Sequence, residues 1–113
     1  MPPQVRDVLL LRWLGPKVEG DKEAGKKVVV IDPVRTELVG YFNADHIAVR
    51  PHGDVPLMLA LAHTLYTEKL HDQKFLDTYT VGFDRFAPSL ADKTPEWAEK
   101  ITGVDRNAIV TVA

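Results

Sequence analysis

Three short apolar stretches in the first half of the chain predict strands. Val8 to Leu11 and Val28 to Ile31 are apolar at every position, and the second run is β-branched throughout. β-Branched residues favour strands, and an unbroken apolar run is expected where both faces of a parallel strand are covered. A third strand is predicted over His46 to Pro51, where apolar and polar residues alternate.

Helices are predicted over the remainder of the chain, beginning with a short one over Thr36 to Phe42. A longer helix is predicted after Gly53, with Asp54 as its N-cap and Pro56 in its first turn, where a missing N–H is harmless. Nearly every position from Leu57 to Leu65 is apolar or small. We therefore expect this helix to be covered on more than one side.

The later helices are predicted from residues that commonly begin, interrupt or end a helix. Thr94 is a cap, Pro95 suits the first helical position, and Gly103 suits the end. The aromatic side chains at helical spacings are predicted to be core residues: Phe75, Phe83, Phe86 and Trp97. The other predicted helices begin near Asp72, extend over Phe83 to Leu90 with an interruption at Pro88, and follow Asp105.

Strands joined by crossovers and followed by helices predict an α/β fold. We expect a small parallel sheet flanked by helices, which is a Rossmann-like half domain with a helical C-terminal part. At 113 residues, the chain has the length of one domain, 1–113.

Composition narrows the classes of partner and site. Apolar residues make up 45% of the chain and charged residues 27%, as in ordinary globular proteins, and a net charge of −2 favours neither nucleic acid nor an anionic membrane as partner. The chain has no cysteine, which excludes disulfides, thiolate metal ligands and cysteine nucleophiles. No apolar run approaches the roughly 18 residues of a membrane span, and no secretory segment is recognised, so a cytoplasmic location is expected.

The first candidate site follows the second predicted strand, at Ile31, Asp32, Pro33, Val34 and Arg35. Ligands of open parallel sheets bind beyond the carboxyl ends of the strands. A carboxylate at that edge accepts hydrogen bonds from ribose hydroxyls, and an arginine meets phosphate. Alternatively, Asp32 caps the following turn and Arg35 is a solvated surface charge, which is the commoner role of a strand–Asp–Pro turn.

The second candidate site is the sequence Pro51-His52-Gly53-Asp54, before the long helix. Gly53 permits close approach of another backbone or of a flat ligand. The two carboxylate oxygens of Asp54 match the N1–H and N2–H₂ donors on one edge of guanine. The alternative is a plain N-cap, and one residue can serve both purposes, with one oxygen for each.

Other constellations of polar residues do not predict a site. The four histidines lack the spacing of metal ligands, and His63, on an apolar helix, is typical of a hydrogen-bonded core histidine. The chain contains neither a Gly-x-Gly-x-x-Gly motif nor a P-loop.

Three segments together resemble the molybdopterin oxidoreductases of the dimethyl sulfoxide reductase type, which include the trimethylamine N-oxide and biotin sulfoxide reductases. They are "GKKVVVIDPVRTE", "ADHIAVRPHGDVPLMLALAHTLYTEKLHDQKFLDTYTVGFDRF" and "KTPEWAEKITGV". The resemblance covers residues 25–113. It implies an α/β domain that binds molybdopterin guanine dinucleotide, with Ile31 to Arg35 against the nucleotide half. His52, Gly53 and Asp54 resemble the family's guanine-recognition turn, usually Gly-Thr-Asp or Gln-Ser-Asp; the aspartate is kept and His52 departs.

Residues 1–24 depart further from the family pattern. They keep Trp13 but lack the family's asparagine after the first strand, and their crossover of about a dozen residues is near the shortest expected. The family's molybdenum ligand, second pterin-binding domain and substrate funnel have no counterpart here. The resemblance therefore implies guanine-nucleotide binding without catalysis by this chain alone. The alternative is a non-catalytic folding or interaction module, and self-association through apolar surface is expected in either case.

Overall fold

A computed structural model describes Gly25 and residues 27–113. The chain divides into two compact units between Ala48 and Val49, and each is described by itself. The predicted strand Val8 to Leu11 and the divergent segment 1–24 lie outside the described residues. The assignment of 1–113 to one domain stays a prediction.

The first unit is a strand–helix–strand arrangement. Strand β1 (Val29–Ile31) and strand β2 (Asp45–Ile47) pair in parallel, and Val30 lies opposite His46. Helix α1 (Glu37–Tyr41) connects them. Parallel neighbours require such a crossover, because a tight turn returns the chain antiparallel. The predicted α/β class, with its small parallel sheet and helices, is confirmed.

Strand β2 is shorter than predicted at its C-terminal end. The Asp32 N–H donates to the Ile47 carbonyl at 3.1 Å, and this is the last main-chain bond of the ladder. Pro33 follows and has no N–H to donate, so pairing stops there. The prediction that the strand continues to Pro51 was wrong for this reason.

In the first unit, the buried side chains lie in β2 and in or next to α1 rather than in β1. Val29–Ile31 are all half-buried, whereas Val39, Phe42 and Ile47 are buried. The expectation that β1 is fully covered on both faces is therefore not met by the described residues. Among the described residues, β1 has one paired neighbour, and such a strand receives less cover than a central strand of a wider sheet.

The second unit contains helices throughout its described length. Its core lies along one stripe of the longest helix, and the shorter helices pack around it. The helices are α2 (Asp54–Thr67), α3 (Gln73–Tyr79), α4 (Phe83–Phe86), a 3₁₀ helix (Ala87–Leu90), α5 (Pro95–Thr102) and α6 (Arg106–Val112).

Most predicted helix ends are confirmed by specific hydrogen bonds. The Thr94 hydroxyl accepts from the Trp97 N–H at 3.1 Å, and Gly103 ends α5 in the left-handed conformation with φ +74°. The carboxylates of Asp72 and Asp105 cap α3 and α6. The predicted interruption near Pro88 is the change from α4 to the 3₁₀ helix.

The start of α2 differs from the prediction. Its N-cap is Gly53, and Asp54 is already the first helical residue, whose side chain makes no capping bond. The prediction of Asp54 as N-cap was wrong by one position. Gly53 is the last residue of the turn that begins at Arg50, so the helix starts at the next residue, Asp54.

Helix α2 is most deeply buried along one face. Leu57, Ala60 and Thr64 form a buried stripe facing α5 and α6, whereas Val55 and Met58 are exposed. A buried stripe at this spacing covers a single face of a helix. All residues in the middle of α2 are nevertheless buried or half-buried, and α2 also contacts the 3₁₀ helix. The expectation of cover on more than one side is therefore met in the middle of the helix.

The aromatic residues predicted as core lie largely at the surface. Phe75 and Phe86 are 53% and 43% exposed, so their assignment to the core was wrong, and Phe83 and Trp97 are half-buried. The Phe75 ring contacts the neighbouring Tyr79 ring, with centroids 5.0 Å apart, on the outer side of α3. Helical spacing predicts a shared face but does not show whether another element covers it. Self-association through such surface stays a prediction.

His63 matches its predicted structural role. Its Nδ1 lies 2.6 Å from the Leu90 carbonyl, which links α2 to the 3₁₀ helix. Because a carbonyl only accepts, Nδ1 carries the proton in this contact.

An ion pair joins the end of α5 to the start of α6. The Arg106 main-chain N–H donates to Glu99 Oε2 at 2.7 Å, and its guanidinium donates to Oε1 at 3.0 Å. The side-chain hydrogen bond from Arg106, followed by the main-chain one, holds the pKa of the Glu99 carboxyl below its usual range. A lowered folded-state pKa stabilises the fold above the unfolded-state pKa, and that contribution is lost as the pH falls through the folded-state value.

We therefore expect Glu99→Gln to lower the melting temperature at neutral pH. The difference from the unaltered chain should shrink as the pH falls below about 4.3, where free glutamate titrates. Thermal unfolding followed by circular dichroism between pH 7 and pH 3 measures this. Glu68→Gln is the control, since this exposed carboxylate forms no hydrogen bond or ion pair with the described residues. An equal, pH-independent difference for both variants would contradict the expectation.

Candidate nucleotide-binding site

The turn after β1 is organised by Asp32. Its Oδ1 accepts from the Val34 N–H at 2.8 Å, and its main-chain carbonyl accepts from His46 Nε2 at 2.8 Å. The capping role considered for Asp32 is therefore present in the structure. Oδ2 has no hydrogen-bond partner among the described residues, and the side chain is half-buried. One oxygen thus remains for a ligand, on a carboxylate whose direction is fixed by the turn.

Three residues of this loop project into solvent. Pro33, Val34 and Arg35 are exposed, with Val34 at 67%. The Arg35 guanidinium forms no hydrogen bond or ion pair with the residues that the structure describes. An exposed guanidinium without a carboxylate partner suits an anionic group of a ligand.

Thr36 was not singled out from the sequence, although it lies beside this loop. It is the N-cap of α1 in extended conformation, yet its side chain makes no capping bond. Its Oγ1 is buried and has no hydrogen-bond partner within the described part of the chain. The sequence signal was present, since threonine favours helix N-caps. The missing bond was visible only in the structure.

The second loop is a tight turn from Arg50 to Gly53. The Gly53 N–H donates to the Arg50 carbonyl at 2.9 Å. Pro51 in the second position and a positive φ of +64° at His52 in the third are typical of a type II turn. Glycine or asparagine is usual at that third position, so His52 adopts a conformation that costs conformational energy. Its side chain is exposed.

Gly53 is required for packing of this turn. A Cβ on Gly53 would lie 2.8 Å from both the Arg50 carbonyl oxygen and Val49 Cγ2, and 3.3 Å from Thr102 Cγ2. Its φ of −88° is accessible to any residue, so the close contacts explain the glycine. The expected close approach is made by the chain's own backbone, and Gly53 itself is buried.

Asp54 stands exposed at the first position of α2. Neither carboxylate oxygen makes a hydrogen bond or ion pair with the described residues. Both oxygens are therefore available to a ligand, and the helix N-terminus favours the negative charge at this position. A pair of adjacent N–H donors, as on one edge of guanine, matches this arrangement.

The predicted residues fall on both units. Ile31, Asp32, Pro33, Val34 and Arg35 belong to the first unit, and His52, Gly53 and Asp54 belong to the second. In each unit the residues are brought together by a turn of its own, so each loop forms one local group.

The described residues contain no group of three or more histidine, aspartate or glutamate side chains arranged to hold a metal ion. No helix in that part of the chain is long and apolar enough to cross a membrane. Two cavities of about 410 and 360 Å³ lie in the helical unit and share Tyr66, Ala87 and Pro88. None of the predicted site residues lines either cavity.

Comparison with known proteins agrees with the resemblance drawn from the sequence. The molybdopterin oxidoreductase family model matches residues 6–112. The chain is 47% identical over 104 residues to the dimethyl sulfoxide/trimethylamine N-oxide reductase of Rhodobacter capsulatus, covering 87% of this chain and 13% of that protein. It is 50% identical over 95 residues to the trimethylamine-N-oxide reductase of Salmonella typhi, covering 76% and 11%.

A solved structure supports the same assignment. Acetylene hydratase from Pelobacter acetylenicus superposes with a TM-score of 0.75 at 26% identity, over 83% of this chain and 13% of that one. The chain spans about an eighth of the length of these relatives. The family implies a molybdenum-containing pterin cofactor. The chain belongs to the molybdopterin oxidoreductase family, and within it to the dimethyl sulfoxide reductase type.

Proposed function

We propose that this chain binds the guanine nucleotide half of molybdopterin guanine dinucleotide. The observation that carries the proposal is the Asp54 carboxylate, which is exposed and has both oxygens free of partners among the described residues. It is presented by a turn whose shape is fixed by the Gly53–Arg50 hydrogen bond. A fixed acceptor pair of this kind is the requirement for reading one edge of a purine.

Asp54 discriminates between purines through its acceptor-only chemistry. An ionised carboxylate accepts from the N1–H and N2–H₂ groups of guanine in two charge-assisted hydrogen bonds. Adenine has an acceptor at N1 and no amino group at C2, so the same carboxylate faces a lone pair. Guanine is therefore favoured by two bonds gained and adenine is disfavoured by repulsion.

The loop Ile31 to Arg35 takes the ribose and phosphate part in this proposal. Asp32 Oδ2 accepts from a ribose hydroxyl, while Oδ1 stays bonded to the Val34 N–H. The Arg35 guanidinium donates to a phosphate oxygen. Pro33 and Val34 are exposed beside these groups and provide contact surface. The donor and acceptor types of this loop thus fit ribose and phosphate.

When bound, the cofactor supplies the molybdenum redox chemistry of the oxidoreductase. Asp54 would contact its guanine base, and Asp32 and Arg35 would contact ribose and phosphate. We propose that reduction of dimethyl sulfoxide or trimethylamine N-oxide, as in the names of the relatives, requires more of the polypeptide than these residues. The chain spans about an eighth of those proteins.

The test is isothermal titration calorimetry with GMP, GDP, AMP and ADP. The unaltered chain should bind the guanine nucleotides more tightly. Asp54→Asn should reduce that preference by roughly ten- to a hundredfold, since hydrogen bonds to charged groups contribute about 1.5–3 kcal/mol. The free energy of unfolding should change by less than about 1 kcal/mol, because Asp54 makes no capping bond.

Asp92→Asn is the matched control. Asp92 is also exposed, and its carboxylate contacts the adjacent Lys93 and no residue of either loop. This variant should keep the guanine preference. Equal binding of all four nucleotides by the unaltered chain would contradict the proposal and favour the non-catalytic folding or interaction module instead.

A further inference from the structure

We propose that Arg50 is a positioning residue that clamps the turn before Asp54, residues 50–53 and hereafter the recognition turn, onto the C-terminal end of α5. The inference rests on the proposed function, because it assigns to Arg50 the task of directing Asp54. Neither the family motif nor the sequence of the loop singles out Arg50. Arg50 and α5 are about 50 positions apart in sequence, so their contact is purely tertiary.

The main chain of Arg50 makes the first link of the clamp. Its N–H donates to the Thr102 carbonyl at 2.9 Å, while its own carbonyl accepts from the Gly53 N–H at 2.9 Å. The last carbonyls of a helix have no partner within the helix. Arg50 therefore satisfies one such carbonyl with its N–H and closes the recognition turn with its own carbonyl.

The helix end that receives Arg50 is itself rigidly held. Thr102 is fully buried, and its hydroxyl donates to the Ala98 carbonyl at 2.8 Å. The same hydroxyl accepts from the Val104 N–H at 3.2 Å. A fully buried residue with its hydroxyl bonded on both sides provides a fixed attachment point for the turn.

The side chain of Arg50 makes the second link. Its Nη1 donates to the Lys100 carbonyl at 3.3 Å, which is another carbonyl of the last turn of α5. A positive charge at a helix C-terminus is favourable. One residue thus binds two carbonyls of the same helix end, through its main chain and through its guanidinium.

Two glycines allow the turn and the helix end to approach so closely. A Cβ on Gly103 would lie 3.1 Å from Arg50 Nε and 3.4 Å from its Cζ. A Cβ on Gly53 would lie 3.3 Å from Thr102 Cγ2. The guanidinium therefore packs over the bare backbone of Gly103, and the turn packs over Thr102. The helix end and the recognition turn fit together as one interlocked structure.

The clamp matters for recognition because it fixes the direction of the Asp54 carboxylate. A carboxylate that accepts two hydrogen bonds from adjacent donors of guanine must lie near the plane of the base. Asp54 follows the turn directly, so a turn that is free to rock against α5 would misdirect this carboxylate. Arg50 limits that motion without touching the base.

The experiment compares two arginine variants of the full chain. Arg50→Met keeps an apolar stem and removes the guanidinium. It should lower the ratio of AMP to GMP dissociation constants by roughly tenfold, which corresponds to loss of one of the two hydrogen bonds that the Asp54 carboxylate accepts from guanine. The Gly53 amide should exchange with deuterium faster in this variant. Arg106→Met is the matched control, because it breaks the ion pair with Glu99 in the same half of α5, while the Arg106 side chain makes no hydrogen bond to the turn itself. It should leave both the ratio and the Gly53 exchange rate unchanged.

A conservative variant completes the test. Arg50→Lys retains a cation able to reach the Lys100 carbonyl and should recover part of the preference, which also provides a measurement if Arg50→Met does not fold. An unaltered ratio in both Arg50 variants, with a guanine preference in the unaltered chain, would overturn the clamp alone. Equal losses in Arg50→Met and Arg106→Met would overturn it too, as general destabilisation. Absence of any preference in the unaltered chain would overturn the proposed function first.

Discussion

Replacing Leu57 with alanine (Leu57→Ala) should lower the free energy of unfolding by roughly 2–5 kcal/mol. Leu57 is 1% exposed and lies in the stripe of α2 that faces α5 and α6. The substitution removes the buried apolar contacts and leaves a cavity that the surrounding helices close incompletely. Urea unfolding followed by circular dichroism measures the change, provided that the transition is two-state.

Met58→Ala is the matched control for this prediction. Met58 is the next residue of α2, is 48% exposed and points away from the stripe. Its replacement in this chain should change stability by less than about 1 kcal/mol, as is usual for surface positions. Similar effects for both variants would contradict the structure, because they would show that the buried stripe contributes no more to stability than the exposed positions of α2.

Gly53→Ala should destabilise the chain by roughly 1–3 kcal/mol or more, the usual range for overpacking. The added methyl group would lie 2.8 Å from the Arg50 carbonyl oxygen and from Val49 Cγ2. The carbonyl belongs to the backbone of the recognition turn, so it cannot move aside without opening the bond to the Gly53 N–H. Guanine preference should fall together with stability, because Asp54 follows directly.

Gly40→Ala provides the comparison for the glycine variant. Gly40 lies within α1, and no atom of the described residues lies within 4 Å of the position that a Cβ would take. Alanine is favoured over glycine inside a helix, so this change should stabilise the chain by up to about 1 kcal/mol. A stabilising or neutral Gly53→Ala would contradict the packing described for the turn.

Features that depend on neighbouring residues were predictable from the sequence. The caps at Asp72, Thr94 and Asp105 and the end at Gly103 are confirmed, because each hydrogen bond or backbone conformation is decided within a few positions. The family was also recognisable from the order and spacing of its segments.

Features that depend on residues far apart along the chain could not be predicted from the sequence. The end of β2 at Ile47 depends on where β1 stops offering N–H groups, and the exposure of Phe75 depends on which element covers α3. Asp54 was correctly placed beside the turn, but the sequence suggested that it caps the helix. That role falls to Gly53, since the turn is shaped by contacts with Thr102.

The sequence by itself determined the family, the α/β class and the chemistry available to the two loops. Side-chain types are read directly from the sequence, and helix caps depend on residues only a few positions apart. Only the tertiary structure decided that Gly53 packs against its own turn and that Arg50 binds the end of α5. The physical reason is distance along the chain. Local hydrogen bonds form between near neighbours, whereas the clamp joins carbonyls and donors about 50 positions apart, which only packing of the helices brings together.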